Sequence, residues 1–438
     1  MPLRDILVAL TVFGSLPFCF LQPWIGVLVW SWLGYMNPHR LTWSMTVRRL
    51  PFAQLVAIAT LGGLLLTKER YPLPRFVEVF LLVAMWLFFA FTTFFAINGE
   101  EAWEQLDKVS KIFVMTLVTL VLFQDRNKLR ALIWVIALSI GFYGLKGGIF
   151  SVLTGGQHQV LGPPVTFMAG NTEIGLALNM ILPLLIFLRR EESRPWLRHL
   201  LLAIFGFCVI AIVCTYSRGA LVGLAVVLTF LFLKSRAKVL AMFLIVLGLV
   251  VASSTLPDKW FGRMETIESY QEDKSAVNRL RAWRVSYLVA LDNPVLGLGF
   301  RPFSRDLYMK YDPEYGPRSG DAHSIFFQVL AEHGFVGLGL YVALLLSTML
   351  SLRRTMWVCR GVPATQWIYN YCHMLEASLM AYIASGVFLS MSYFDLYYHL
   401  IAIMVILKQL VLVERKKEVK ALRMGSVRAP AFGIEAAR

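Results

Sequence analysis

His323 stands in the run RSGDAHSIFF (318–327), flanked by Asp321 and Ser324 where a polar stretch gives way to an apolar one. A histidine at such a junction can take a proton or orient a hydroxyl, and can equally serve as an interfacial hydrogen-bonder. Arg218 lies in TYSRGA (215–220), in a short turn between two apolar runs. An arginine so close to lipid snorkels, pairs or holds an anion. Arg279 and Arg284 lie in 275–291, where a helix can present them to a phosphate. Arg301, Arg305 and Arg318 follow, with acids in YDPEYGPRSG (311–320) available for ordinary salt bridges. Asn171 and Glu173 in AGNTEIG and Asp395 in SYFDLYY can cap or pair locally, or join a site. Glu332 lies nine residues after His323. On a continuous helix that is roughly 13.5 Å and half a turn away, so Glu332 and its neighbour His333 read as structural.

Other chemistries are unsupported. The sequence has no P-loop and no HExxH, and no DxD pair stands out. Cys and His lack zinc-like spacing, so no metal site is expected. Gly297-x-Gly299 is not a dinucleotide fingerprint.

The elements that must carry these residues are set by an unusual composition. Of 438 residues, 58% are hydrophobic and only 16% charged, with a mean hydropathy of +0.64. Soluble domains are about 25% charged. Disorder, a disulfide scaffold and an ordinary cytosolic enzyme are excluded. The five cysteines fall in apolar runs or basic loops and imply no disulfide framework. Ten apolar runs read as spanning helices: 76–97, 106–123, 129–152, 172–188, 196–215, 218–233, 237–256, 325–352, 375–391 and 396–413. Three shorter ones precede them, at 6–20, 22–36 and 51–67. No cleavable signal peptide and no internal repeat is evident.

Net charge is +15, and its placement gives orientation. Loops 124–130, 188–198, 233–238 and 352–374 each carry three or four Lys/Arg, and the tail 414–438 carries seven. Loops 98–105 and 153–171 carry none. The basic loops are therefore cytoplasmic. We expect an all-α integral membrane protein, a single polytopic domain over 1–438, with about twelve spans and both termini cytoplasmic. One of the three N-terminal runs then fails to cross.

Segment 253–323 falls on the outer side and balances ten Lys/Arg against ten Asp/Glu. Within it, 275–291 predicts an amphipathic helix with Leu280, Trp283, Tyr287 and Leu291 on one apolar stripe. Arg279 is one turn before Trp283 and shares its face. Pro294 ends the helix, and Gly297 and Gly299 permit tight turns or close backbone approach.

In combination these features resemble the O-antigen ligases. The carriers are Ser217-Arg218 at an outer turn, Arg279 to Trp283, Asn293-Pro294 with Gly297 and Gly299, and His323 with Glu332 and Gly334. Ser324 departs from the pattern, since many relatives have Asn there. The N-terminal start is similar to a ligase subgroup associated with exosortase systems. The resemblance implies a C-type membrane glycosyltransferase (GT-C) of the bacterial inner membrane, with 253–323 as a periplasmic loop containing short helices. It implies metal-independent, inverting transfer of O-antigen from undecaprenyl diphosphate to a sugar of lipid A–core, without a cofactor or nucleic acid. His323 would be base or positioner. Arg218 and Arg279, then Arg284 and Arg301, would hold the diphosphate. Asn171, Glu173, Trp283, Asp321, Glu332 and Asp395 would support the site or the acceptor. A protein O-oligosaccharyltransferase or an O-antigen polymerase shares the superfamily. A transporter or flippase is the alternative of another class, although paired broken helices are not evident.

Overall fold

The computed structural model describes residues 3–235, 256–265, 274–315 and 320–423, with Lys238, Val239, Met242, Gly248 and Ser254 between. Most of the run 237–256, Arg318 and the tail beyond 423 lie outside the described residues. Every other apolar run forms a helix. In chain order these are α1 (Leu3–Leu21), α2 (Pro23–Met36), α3 (Met45–Arg49), α4 (Phe52–Leu66), α5 (Val77–Thr93), α6 (Gly99–Leu122), α7 (Arg126–Leu153), α8 (Asn171–Glu191), α9 (Pro195–Val213) and α10 (Arg218–Leu233). The segment 253–323 holds α11 (Asp258–Glu265), α12 (Lys274–Asp292) and α13 (Arg305–Tyr311), and α14 (Ile325–Cys359), α15 (Gln366–Gly386) and α16 (Asp395–Arg423) follow. No strand occurs among the described residues.

Among the described residues six helices, α1, α7, α8, α9, α14 and α16, are long and apolar enough to cross a membrane, while α4, α5 and α10 are apolar but shorter. The protein is an all-helical, multi-pass membrane protein. Helix starts follow local rules. Asp125, Ser217 and Ser324 accept backbone N–H groups at the starts of α7, α10 and α14, which satisfies orphan donors there.

The N-terminal runs correct one expectation. Asp5 accepts the N–H groups of Trp43 and Ser44 at 3.0 and 2.9 Å, placing the start of α1 beside the connection after α2. At the other end Lys128 lies over Trp24 at the start of α2 and pairs with Glu69 just after α4. All three runs therefore pass from one end of the bundle to the other. The start of α1 is opposite the end reached by α16, whose Lys408 meets Glu78 just after loop 68–75. The start of α1 and the described end of α16 thus lie at opposite ends of the bundle. The short runs can do this because they pack closely. A Cβ on Gly26 would stand 1.9 Å from Thr60, and one on Gly63 would stand 2.1 Å from the Phe20 carbonyl.

Lys408 itself ties α5, α14 and α16 together. Its Nζ reaches both Glu78 oxygens at 3.2 Å and Ser351 Oγ at 3.2 Å. Glu78 is 1% exposed. Lys408→Met leaves that carboxylate buried without its cation, which costs on the order of 3 kcal/mol. The expected result is a clear fall in melting temperature of the detergent-solubilised protein.

Helix α12 forms as expected but buries the other face. Leu280, Tyr287 and Leu291 are about half exposed, while Ala282, Val285 and Val289 are buried against Leu307, Tyr308 and Ala331. The buried residues lie about half a turn round from the expected stripe. Small side chains let α12 approach α13 and α14 closely, so Leu280, Tyr287 and Leu291 face outward, while Trp283 at the edge of the stripe packs inward. This also separates the two arginines. Arg284 is five residues, about 140°, from Arg279 and is exposed with the outer stripe.

Candidate active site

Three elements converge around His323. Trp283, one turn beyond Arg279 on α12, stacks on Phe327 of α14, with ring centroids 5.2 Å apart and planes 10° apart. It also stacks on Phe388, at 6.4 Å, in the loop between α15 and α16. Phe388 in turn packs against Gly219, the second residue of α10, where a Cβ would stand 3.2 Å away. The start of α10, whose first residue is Arg218, thereby lies beside the aromatic seam that Trp283, one turn from Arg279, helps to form. Both arginines are partly buried. Trp283 Nε1 is buried with no hydrogen-bond partner among the described residues.

His323 has φ of +49° and donates its N–H to Ser390 Oγ at 2.8 Å. Burial lowers its imidazole pKa below the usual histidine value. Asp321 pulls in the opposite direction, and the Arg279 guanidinium adds to the lowering. The ring is neutral near pH 7 and able to accept a proton.

The backbone around this seam is strained. Among the described residues, the non-glycine positions at positive φ are Asn37, Val165, Tyr216, Arg301 and His323. Left-handed backbone costs about 1–3 kcal/mol at such residues and gathers at functional sites. Besides His323, two of these residues are pinned in place. Tyr216, two residues before Arg218, bonds to the Gly156 carbonyl at 2.7 Å. Asn171 donates to the adjacent Thr215 carbonyl at 2.9 Å, so it supports the arginine turn. Arg301 donates its N–H to Glu332 Oε1 at 3.2 Å, and its carbonyl accepts from Asn98 at 2.8 Å.

Helix α14 is not continuous. Gly334 has φ 66° and ψ −167°, a break ten residues into the helix. The carbonyls freed there are recaptured by the NPVLGLG run. Leu298 N–H bonds to Ala331 O at 3.1 Å and Gly299 N–H to Glu332 O at 2.8 Å, while Phe335 N–H bonds to Pro294 O at 2.8 Å. The two sequence motifs are therefore one structural unit. A Cβ on Gly297 would stand 2.6 Å from the Glu332 backbone, and one on Gly334 would stand 2.6 Å from Pro294 O. Both glycines also hold positive φ, which L side chains resist. Gly297→Ala and Gly334→Ala are each expected to cost at least ~2 kcal/mol, read as a fall in melting temperature. Gly339→Ala, which meets open space, should leave it unchanged.

A cavity of about 170 Å³ opens beside His323, lined by Gln105, Arg301, Asp321, Gln328, Glu332 and Tyr393 among others. Glu332 lies here, as a buried acid bonded by Tyr393 Oη and not by His323. His333 is structural, held between Thr92 Oγ1 at 2.7 Å and Tyr393 Oη at 3.1 Å and stacked on Phe89. Glu173 is within electrostatic reach of Asp321. Asp395 packs instead against Gly34 and Tyr35 of α2. Arg284 is not part of the seam. Gln105, Ser390 and the aromatics Phe327 and Phe388 were not expected. Gln105 sits in the charged run EEAWEQLDK (100–108), so nothing local set it apart.

Fold and site together define a polytopic helical membrane protein with a histidine and two arginines near one aromatic seam at one end of its bundle. Residues 201–342 match the family model described as O-antigen ligase. Residues 3–193 match a family of unknown function. No curated protein matches the chain. The ligase match takes in Arg218, Arg279, His323, Glu332 and Gly334, whereas Gln105 and Ser390 lie outside it.

Proposed function

We propose that the protein is an O-antigen ligase, joining a glycan carried on undecaprenyl diphosphate to a sugar hydroxyl of lipid A–core at the periplasmic face. The observation that carries this reading is the convergence of His323, Arg279 and the Arg218 turn on one aromatic seam. In this reading the shorter and more charged helices also cross the membrane, in a GT-C arrangement, and the basic loops and the C-terminal tail are cytoplasmic. The acceptor oxygen forms its bond to the glycan anomeric carbon while the bond from that carbon to the diphosphate oxygen breaks. The electron pair leaves with the diphosphate, and the acceptor proton passes to the His323 imidazole. Attack opposite the leaving group inverts the anomeric carbon. Arg218 and Arg279 hold the diphosphate as its negative charge grows, through charge-assisted hydrogen bonds. The unpaired Trp283 Nε1 offers one further donor on the Arg279 face.

The test is the lipopolysaccharide banding pattern of a deletion strain. Loss of the O-chain ladder, restored by the wild-type gene and not by His323→Ala at equal expression, is the expected result. An intact ladder sinks the reading. Transfer by the purified protein to a protein acceptor and not to lipid A–core would move the activity to the oligosaccharyltransferase branch.

A further inference from the structure

The cavity beside His323 contains one buried polar atom with no hydrogen-bond partner among the described residues. Glu332 accepts from Arg301 N–H, Tyr393 Oη and the Gln328 side chain. Gln328 Oε1 accepts from Ser392, at 2.8 Å from Oγ and 3.3 Å from N. Gln105 differs. It is 5% exposed, it lines the cavity, and its Oε1 is buried with no partner among the described residues. A buried carbonyl oxygen left unpaired is costly, so an ordered water or a ligand group completes it in the native protein. The missing partner is a donor, such as a hydroxyl.

The rest of the cavity fits the same ligand. Its volume of about 170 Å³ is five to six water volumes at ~30 Å³ each, the scale of one sugar ring. Phe167, Phe303 and Phe394 line it with apolar faces, and the Asp321 carboxylate is a second acceptor. Aromatic walls with a few fixed polar groups are the usual makeup of a small-ligand pocket. The cavity shares Asp321 and Ser390 with the surroundings of His323, whereas the Trp283–Phe388 seam that gathers the arginines does not line it.

We infer that this cavity is a subsite for a single sugar ring of the acceptor, with Gln105 Oε1 accepting a ring hydroxyl, so that Gln105 is a substrate-binding residue contributed from outside the ligase-matched region. The inference rests on the ligase reading for the identity of the acceptor, but binding can be measured without transfer. The probe is deacylated core oligosaccharide from a strain lacking O-chain, titrated into full-length protein in detergent by saturation-transfer NMR. Gln105→Met is nearly isosteric and lacks the acceptor oxygen, so affinity should fall about tenfold or more. Gln105→Glu keeps acceptor oxygens and should bind within a few-fold of wild type. Because Gln105→Met removes an unsatisfied buried group, its melting temperature should hold or rise. A fall would mean that the amide serves the fold, and would overturn the inference. So would unchanged binding by Gln105→Met, or no binding by wild type. In the transfer assay Gln105→Met should raise KM for lipid A–core and leave KM for the lipid-linked donor unchanged, and the reverse pattern would overturn the acceptor assignment. Binding that depends on Gln105, without any glycan transfer by wild type, would keep the subsite and remove the ligase reading.

Discussion

Replacing His323 with alanine is expected to cut glycan transfer by about 10²–10⁴-fold, the usual contribution of a positioned proton acceptor. The measurement is the initial rate of transfer by purified protein at saturating donor and acceptor. Alanine alone would confound chemistry with backbone, because His323 holds φ of +49°. His323→Asn removes that ambiguity. Asparagine tolerates left-handed backbone, and its N–H can still reach Ser390. The asparagine variant should therefore keep the wild-type melting temperature and be as inactive as alanine. Substantial activity in His323→Asn would reduce the imidazole to a spacer. The pH profile gives a second test. Burial, aided by Arg279, places the imidazole pKa below its ordinary value of 6.5. A neutral base is present above that pKa and lost as pH falls through it. The acidic limb of kcat/KM should thus lie below pH 6.5. Asp321 opposes the lowering, so Asp321→Asn should move the limb further toward acid.

Arg218→Ala and Arg279→Ala should each lower transfer by about 10²–10³-fold, the scale seen when a donor to a developing anion is removed. Lysine should not rescue either position, because it lacks the planar fork that meets two phosphate oxygens at once. The contrast is Arg284→Ala, which should stay within about twofold of wild type. Arg284 is equally cationic and only five residues from Arg279, but it is exposed on the far side of α12. A composition-driven attraction for the lipid diphosphate would make all three substitutions similar. The proposed site predicts two large losses and one near-neutral change. Gel-filtration profiles of the variants separate lost chemistry from lost folding.

Much of this molecule is legible along the chain. Apolar runs of adequate length became helices because a backbone in lipid must satisfy its own hydrogen bonds. Ser217 and Ser324 marked helix starts because their hydroxyls cap free N–H groups. Arg279 and Trp283 share a face because four residues make one helical turn. These are short-range rules, and they placed the main candidates correctly on their elements. They could not say which face of α12 is buried. That depended on the small residues that fit against α13 and α14, and not on the larger apolar stripe. Nor could they show the break at Gly334, because the groups that repair it, Leu298 and Gly299, arrive from an earlier loop. The end of the bundle occupied by the start of α1 likewise rested on how tightly α2 and α4 pack beside it. Gln105 and Ser390 reach the surroundings of His323 from elements far off in sequence, Ser390 from 67 residues away. The sequence alone determined the helices and the residue types at their outer ends. Only the tertiary structure decided which of those residues meet, because burial, backbone capture and pocket shape are set by neighbours that no local pattern encodes.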